Sequence, residues 1–144
     1  MTKWTGGCQC GQLRYELKNE PLGAYCCHCT QCQRQSGSAF GESLIVARGD
    51  WQVTQGEVST WSRTTERGSV TICHFCAECG TRVMHERQGN AQRVIVKPGT
   101  LDAHIWPVTS SPDASSSAQA WMRPLLTGLV YEEQPDPMVF AWKR

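Results

Sequence analysis

No stretch of this sequence is apolar enough to span a membrane, because the run of about 18 apolar residues that a crossing helix needs never occurs. The opening residues Met1-Thr2-Lys3-Trp4-Thr5-Gly6-Gly7 lack the apolar centre of an export signal. Charge of one sign is missing too: 14 Lys and Arg against 13 Asp and Glu leave a net charge of +1, spread along the chain. Without a basic stripe or an acidic tail, neither nucleic acid nor an anionic membrane surface is an expected partner. Internal repeats are absent beyond the cysteine knuckles described next, and long helical periodicity is scarce. A chain of 144 residues with these absences is expected to be a cytoplasmic protein with one domain over residues 1–144 and a single core.

Cysteine is what the sequence has in plenty. All nine cysteines fall in three clusters: Cys8-Gln9-Cys10-Gly11, Cys26-Cys27-His28-Cys29-Thr30-Gln31-Cys32, and Cys73-His74-Phe75-Cys76-Ala77-Glu78-Cys79-Gly80. Disulfide staples suit small secreted domains. Here the count is odd, no export signal is present, and Cys-x-Cys and Cys-x-x-Cys spacings are too tight for long-range bridges. Such pairs in a reducing compartment are metal ligands or redox dithiols, and three clusters rather than one favour metal.

The remaining pattern is that of a β protein. Residues 12–18 alternate apolar and polar with period two, and further strands are expected at 43–47, 51–54, 58–63, 70–75, 81–86 and 93–97. Turn residues separate them at 48–50, 55–57, 66–69 and 88–90. Gln33 to Ser38 reads as a polar turn or one helical turn stopped by Gly37. Short strands at this spacing predict an antiparallel, mainly β domain. Residues 107–117, rich in Ser and Pro, read as a surface loop, and 118–144 as a C-terminal cover. The six tryptophans, at 4, 51, 61, 106, 121 and 142, are expected as core or cover.

Zinc takes four thiolates in a tetrahedron, and two short knuckles are the usual way to supply them. Cys8 and Cys10 pair with Cys76 and Cys79 in this reading, each pair followed by a glycine, Gly11 or Gly80, that lets the chain fold back. The bland alternative is that these are buried free thiols acting as small apolar residues. Cys27, Cys29 and Cys32 remain as three sulfurs without a partner cluster, which suits a catalytic zinc with one open position. Neighbouring side chains in extended backbone point to opposite faces, so Cys26 should not join Cys27 on one ion. Spacing leaves Cys73 open as a fourth ligand, and a different partition of the nine thiols open as well. His28 reads as a structural or solvent-facing ring rather than a ligand or base, and His74, His85 and His104 as strand or loop residues.

Taken together, these residues resemble the glutathione-dependent formaldehyde-activating enzyme family, which includes the centromere protein V-like proteins. Cys8 and Cys10 with Gly11 match, then Cys27-His28-Cys29-Thr30-Gln31-Cys32 followed by Ser36-Gly37-Ser38, then Phe75-Cys76-x-x-Cys79-Gly80-Thr81. Gly99-Thr100-Leu101-Asp102 and His104-Ile105-Trp106 are similar to the family's closing segment, so the motifs span residues 5–106. The resemblance implies a β-tent, two small antiparallel sheets around a structural zinc on Cys8, Cys10, Cys76 and Cys79. It also implies a second, catalytic zinc on Cys27, Cys29 and Cys32. The implied activity is that of a carbon–sulfur lyase which adds a thiol such as glutathione to formaldehyde or a related small carbonyl compound. No glutathione-binding residues map onto the chain. The competing expectations are a non-catalytic zinc-stabilised binding module and a thiol redox or metal sensor built on Cys26, Cys27 and Cys73.

Overall fold

Period-two patterning becomes nine strands in the computed structural model, which describes residues 4–103 and 119–120. In chain order they are β1 (Trp4–Gly7), β2 (Arg14–Leu17), β3 (Gly23–Cys27), β4 (Gly41–Ala47), β5 (Trp51–Gln55), β6 (Ser59–Thr64), β7 (Val70–Phe75), β8 (Arg82–Arg87) and β9 (Arg93–Val96). One short helix, α1 (Thr30–Ser36), and two 3-10 turns, Arg48–Asp50 and Pro98–Thr100, complete the described elements. The protein is mainly β, with two antiparallel sheets of three and six strands, as the expected β-tent requires. The readings for 104–118 and 121–144, including the serine-rich loop and most of the C-terminal cover, lie outside the described residues.

The described residues divide into two compact units, 4–21 with 45–103 and 22–44 with 119–120. In the first unit β1, β2 and β5 form the three-stranded sheet, β2 being the centre with Tyr15 opposite both Gly6 and Val53. Strands β9, β8, β7 and β6 follow one another as antiparallel neighbours in the larger sheet. Both sheets supply buried apolar residues: Leu13, Tyr15 and Leu17 in or beside β2, Val83 and Met84 in β8, and Val94 and Val96 in β9. Each such side chain contributes about 1.5–3 kcal/mol by leaving water, so this apolar layer is the main force holding the unit together. Trp51 links the two sheets, its ring centroid 6.1 Å from Tyr15 and 6.2 Å from His74. Close approach at one end depends on Gly6, which bridges to Leu101. A Cβ there would lie 2.5 Å from both the Thr100 carbonyl oxygen and the Tyr15 hydroxyl.

In the second unit β3 leads through the central cysteines into α1 and then into β4. Cys29 caps the helix N-terminus, and Gly37 ends it at φ 64°, a left-handed conformation that a residue without Cβ adopts freely. The helix starts at Thr30, three residues before the expected turn, because the Cys29 carbonyl and sulfur take the first free N–H groups. The buried apolar residues of this unit are Ala24, Cys27, Ala39 and Leu44. Strands β1 and β3 did not follow from the pattern, since Trp-Thr-Gly-Gly and Gly-Ala-Tyr-Cys-Cys show no clean alternation.

Candidate metal centres

The first cysteine cluster lies in the first unit, on two knuckles of one design. In the upstream knuckle the Cys8 N–H donates to the Leu13 carbonyl at 3.0 Å and the Gly11 N–H returns to the Cys8 carbonyl at 3.1 Å. In the downstream one the Cys76 N–H donates to the Thr81 carbonyl at 2.9 Å and the Gly80 N–H returns to the Cys76 carbonyl at 2.8 Å. Gly11 and Gly80 turn these corners at φ 82° and 74°, where a side chain would be strained. All four sulfurs lie within 4.8 Å of one another. Cys8 and Cys10 are 3.4 Å apart and Cys10 and Cys76 3.8 Å. Metal–sulfur bonds of about 2.3 Å in a tetrahedron place sulfurs about 3.8 Å apart, so the cluster is sized for zinc.

Thr81 ties the two knuckles together, a role not apparent in the sequence reading. Its hydroxyl oxygen accepts the Gln9 N–H at 3.2 Å, which leaves its proton for the Cys79 sulfur, also at 3.2 Å. The Thr81 hydroxyl, followed by its backbone N–H, brings Cys79 down to about 5. Burial acts to raise Cys8, but the Leu13 N–H, 3.2 Å from its sulfur, and the thiols of Cys10 and Cys76 hold it below its ordinary value. Donors pointed at sulfur are what a thiolate site needs.

The second cluster lies in the second unit. Cys27 ends β3, Cys29 caps α1 and Cys32 lies in the first turn, which brings their three sulfurs within 4.8 Å of one another. The thiols of Cys27 and then Cys32 donate to Cys29 and hold it far below the usual thiol range, with help from the Cys32 N–H at 3.3 Å. The same contacts, from Cys29 first and then Cys32, push Cys27 upward. Three thiols therefore compete for protons in one small space, a conflict that a bound cation removes. Among the described residues, no fourth cysteine, histidine or carboxylate completes this group.

The sequence profile described as glutathione-dependent formaldehyde-activating enzyme matches residues 3–123, and so takes in every cysteine of both clusters. The chain belongs to this family. The fold has a further likeness in the crystal structure of a Rhodobacter sphaeroides protein, with a TM-score of 0.58 at 23% identity over 75% of this chain and 97% of that one.

In this member of the formaldehyde-activating family, the thiols outside the clusters are set apart from them. Cys26 is half-buried and, through burial and then the nearby Glu42 charge, pushed up to about 11; its sulfur is not among the three. Cys73 is buried on β7 between Trp61 and His85 and joins neither group. His28 is not solvent-facing and is not part of the three-sulfur group. Its ring is 1% exposed, 5.4 Å from the Phe40 ring, and its nitrogens make no hydrogen bond. Burial lowers its pKa, against a smaller opposing effect from the Ala39 backbone. The Gln33 side-chain amide donates to the His28 carbonyl at 2.6 Å and fixes the loop between Cys27 and Cys29. Gly41 backs onto the first turn of α1: a Cβ there would be 3.3 Å from the Cys32 Cβ. Neither Gln33 nor Gly41 carried a sequence signal of its own. No helix among the described residues is long and apolar enough to cross a membrane.

Proposed function

We propose that this chain is a zinc-dependent enzyme of the carbon–sulfur lyase type. It adds a thiol such as glutathione to formaldehyde, or to a related small carbonyl compound, and works as one zinc domain in a reducing cytoplasm. The observation that carries the reading is the three-sulfur group of Cys27, Cys29 and Cys32, which among the described residues lacks a fourth protein ligand. A structural ion held by four protein sulfurs has no room for a substrate, whereas three leave one position for it. Family membership supports the substrate class.

In this reading Cys8, Cys10, Cys76 and Cys79 hold a structural zinc, and Cys27, Cys29 and Cys32 a second ion. Zinc bound at the second group supplies positive charge that favours the anionic form of a substrate thiol near neutral pH. The protein residues do the rest. The Cys27 and Cys32 thiols, with help from the Cys32 N–H, favour the anionic form of the Cys29 sulfur. Gln33 fixes the His28 carbonyl, so the loop does not swing when substrate enters. The buried His28 ring and the half-buried Phe40 ring beside it back this loop and strengthen charge interactions next to it. The substrate sulfur then bonds to the carbonyl carbon, the carbon–oxygen π pair moves to oxygen, and the proton lost from the thiol ends on that oxygen. With glutathione and formaldehyde the product is S-hydroxymethylglutathione.

Exchange NMR of formaldehyde and glutathione with zinc-loaded protein measures the rate of adduct formation directly. The proposal requires a rate above the uncatalysed background that falls to background in Cys29→Ser. Background rates for glutathione and for several other thiols would refute the enzyme reading and favour a zinc-stabilised binding module.

A further inference from the structure

Strands β6 to β9 present one face whose charge has no counterpart in either cysteine cluster. Trp61, Cys73, His85 and Ile95 lie side by side across the four strands. Two residues along, in the next row on the same face, are Arg63, Thr71 and Arg87. Past the irregularity at His74/Phe75, Arg82 comes opposite Phe75 and so joins this face. Lys97, two residues beyond Ile95, does so as well. The sole carboxylate within the four strands, Glu86, is opposite Ile72 on the other face. There it is engaged by Arg48 at 2.8 Å and by His74 at 3.5 Å. Cations thus gather on one face and the acid is turned away from it.

On this face the Nε–H of Arg63 and the Nδ1 atom of His85 are buried without a hydrogen-bond partner. A buried donor left unpaired costs about 1–3 kcal/mol, more when it belongs to a charged group. Burial, and then the charges of Lys97, Arg82, Arg63 and Arg87, hold His85 well below its ordinary pKa, so the whole group acts on one ring. An oxyanion supplies the acceptor that the buried Arg63 Nε–H lacks, and negative charge beside the Arg63 and Arg87 guanidiniums. We propose that this face is a binding site for the oxyanion group of a small ligand, a carboxylate or a phosphate, received by Arg63 and Arg87 with His85 behind them. Arg87 is exposed and Arg63 half-buried, which gives an outer and an inner guanidinium. Trp61, 58% exposed beside Arg63 on the same strand face, offers an apolar shelf to the rest of the ligand. The site stands apart from the thiol reaction, and its test does not use activity.

The zinc-loaded full chain is titrated with sodium phosphate and, separately, with sodium succinate at constant ionic strength, following the His85 and Trp61 ring signals by NMR. Saturable binding of at least one anion is expected, with a dissociation constant on the order of 1 mM. Tighter binding of phosphate or of succinate assigns the oxyanion class. Arg63→Gln and Arg87→Gln should each weaken binding about tenfold, since each removes a charge-assisted donor. Lys18→Gln, at the end of β2 in the other sheet, should change it less than about twofold. Arg87 is on the surface, so its variant keeps the test valid if Arg63→Gln fails to fold. No saturation by either anion, or equal weakening in Lys18→Gln, overturns the proposal.

Discussion

Replacing Cys79 by serine should unfold the protein under conditions in which replacing Cys29 leaves it folded. The reason is the length of chain that each ion would close. Cys10 and Cys76 are 66 residues apart, with their sulfurs 3.8 Å from each other. A link of that span removes about 4 kcal/mol of chain entropy from the unfolded state. The second group spans only Cys27 to Cys32. Since closure entropy grows as (3/2)RT ln n, the first site outweighs the second by about 2 kcal/mol on this count alone. Losing one of four thiolates also removes most of the metal's own affinity for the folded state. Against a typical total stability of about 5–15 kcal/mol, Cys79→Ser then takes away a large share. The assay is urea denaturation of each variant together with metal counting by mass spectrometry. Cys29→Ser should lose one zinc per chain and keep a cooperative transition, whereas Cys79→Ser should lose zinc and the transition with it. Equal loss of stability in the two variants would refute the division into a structural and a catalytic ion.

Cys26→Ser should keep the full zinc content and stability within about 0.5 kcal/mol, as its sulfur belongs to neither group; loss of an ion would place it in the second site. Gly6→Ala should destabilise by about 3 kcal/mol, because the new Cβ meets the Thr100 carbonyl, a backbone atom that cannot turn aside. A shift in the urea midpoint smaller than that of an exposed Gly→Ala control would contradict it. Stability should fall as pH drops below 6.5, the ordinary histidine value from which buried His85 is lowered. The unfolded chain then binds a proton that the folded ring refuses, a loss of up to about 1.4 kcal/mol per pH unit. In His85→Gln the slope between pH 7.5 and 5.5 should flatten, and an unchanged slope would show that His85 is not the group responsible.

Much of the grouping of the thiols was legible because each group is built from segments that are local in sequence. Cys8 with Cys10, and Cys76 with Cys79, already carry their turn residues, and Gly11 and Gly80 do adopt the left-handed backbone that the pattern asked of them. Strands with clear alternation, such as 70–75, emerged within a residue or two of their expected bounds. What did not emerge depends on contacts between residues distant in the chain. Trp4–Gly7 becomes a strand because Gly6 can lie against Tyr15 and Leu101, not because of its own propensity. The helix begins early because the sulfur that ends the cysteine run also caps it, a double use that neither a metal motif nor a helix pattern reveals alone.

Thr81 shows the same principle at the level of chemistry. In sequence it is one more hydroxyl after a Cys-Gly corner. In the fold the Gln9 N–H, 72 residues away, occupies its oxygen and so directs its proton to Cys79. A spacing rule identifies which sulfurs can share an ion, since spacing is set by the local chain. It says nothing about the donors that make those sulfurs good ligands, since these are supplied across the sheet. The same separation holds for the cationic face of β6 to β9: Arg63 and Arg87 become neighbours only through a shared partner, Thr71, when the three strands pair.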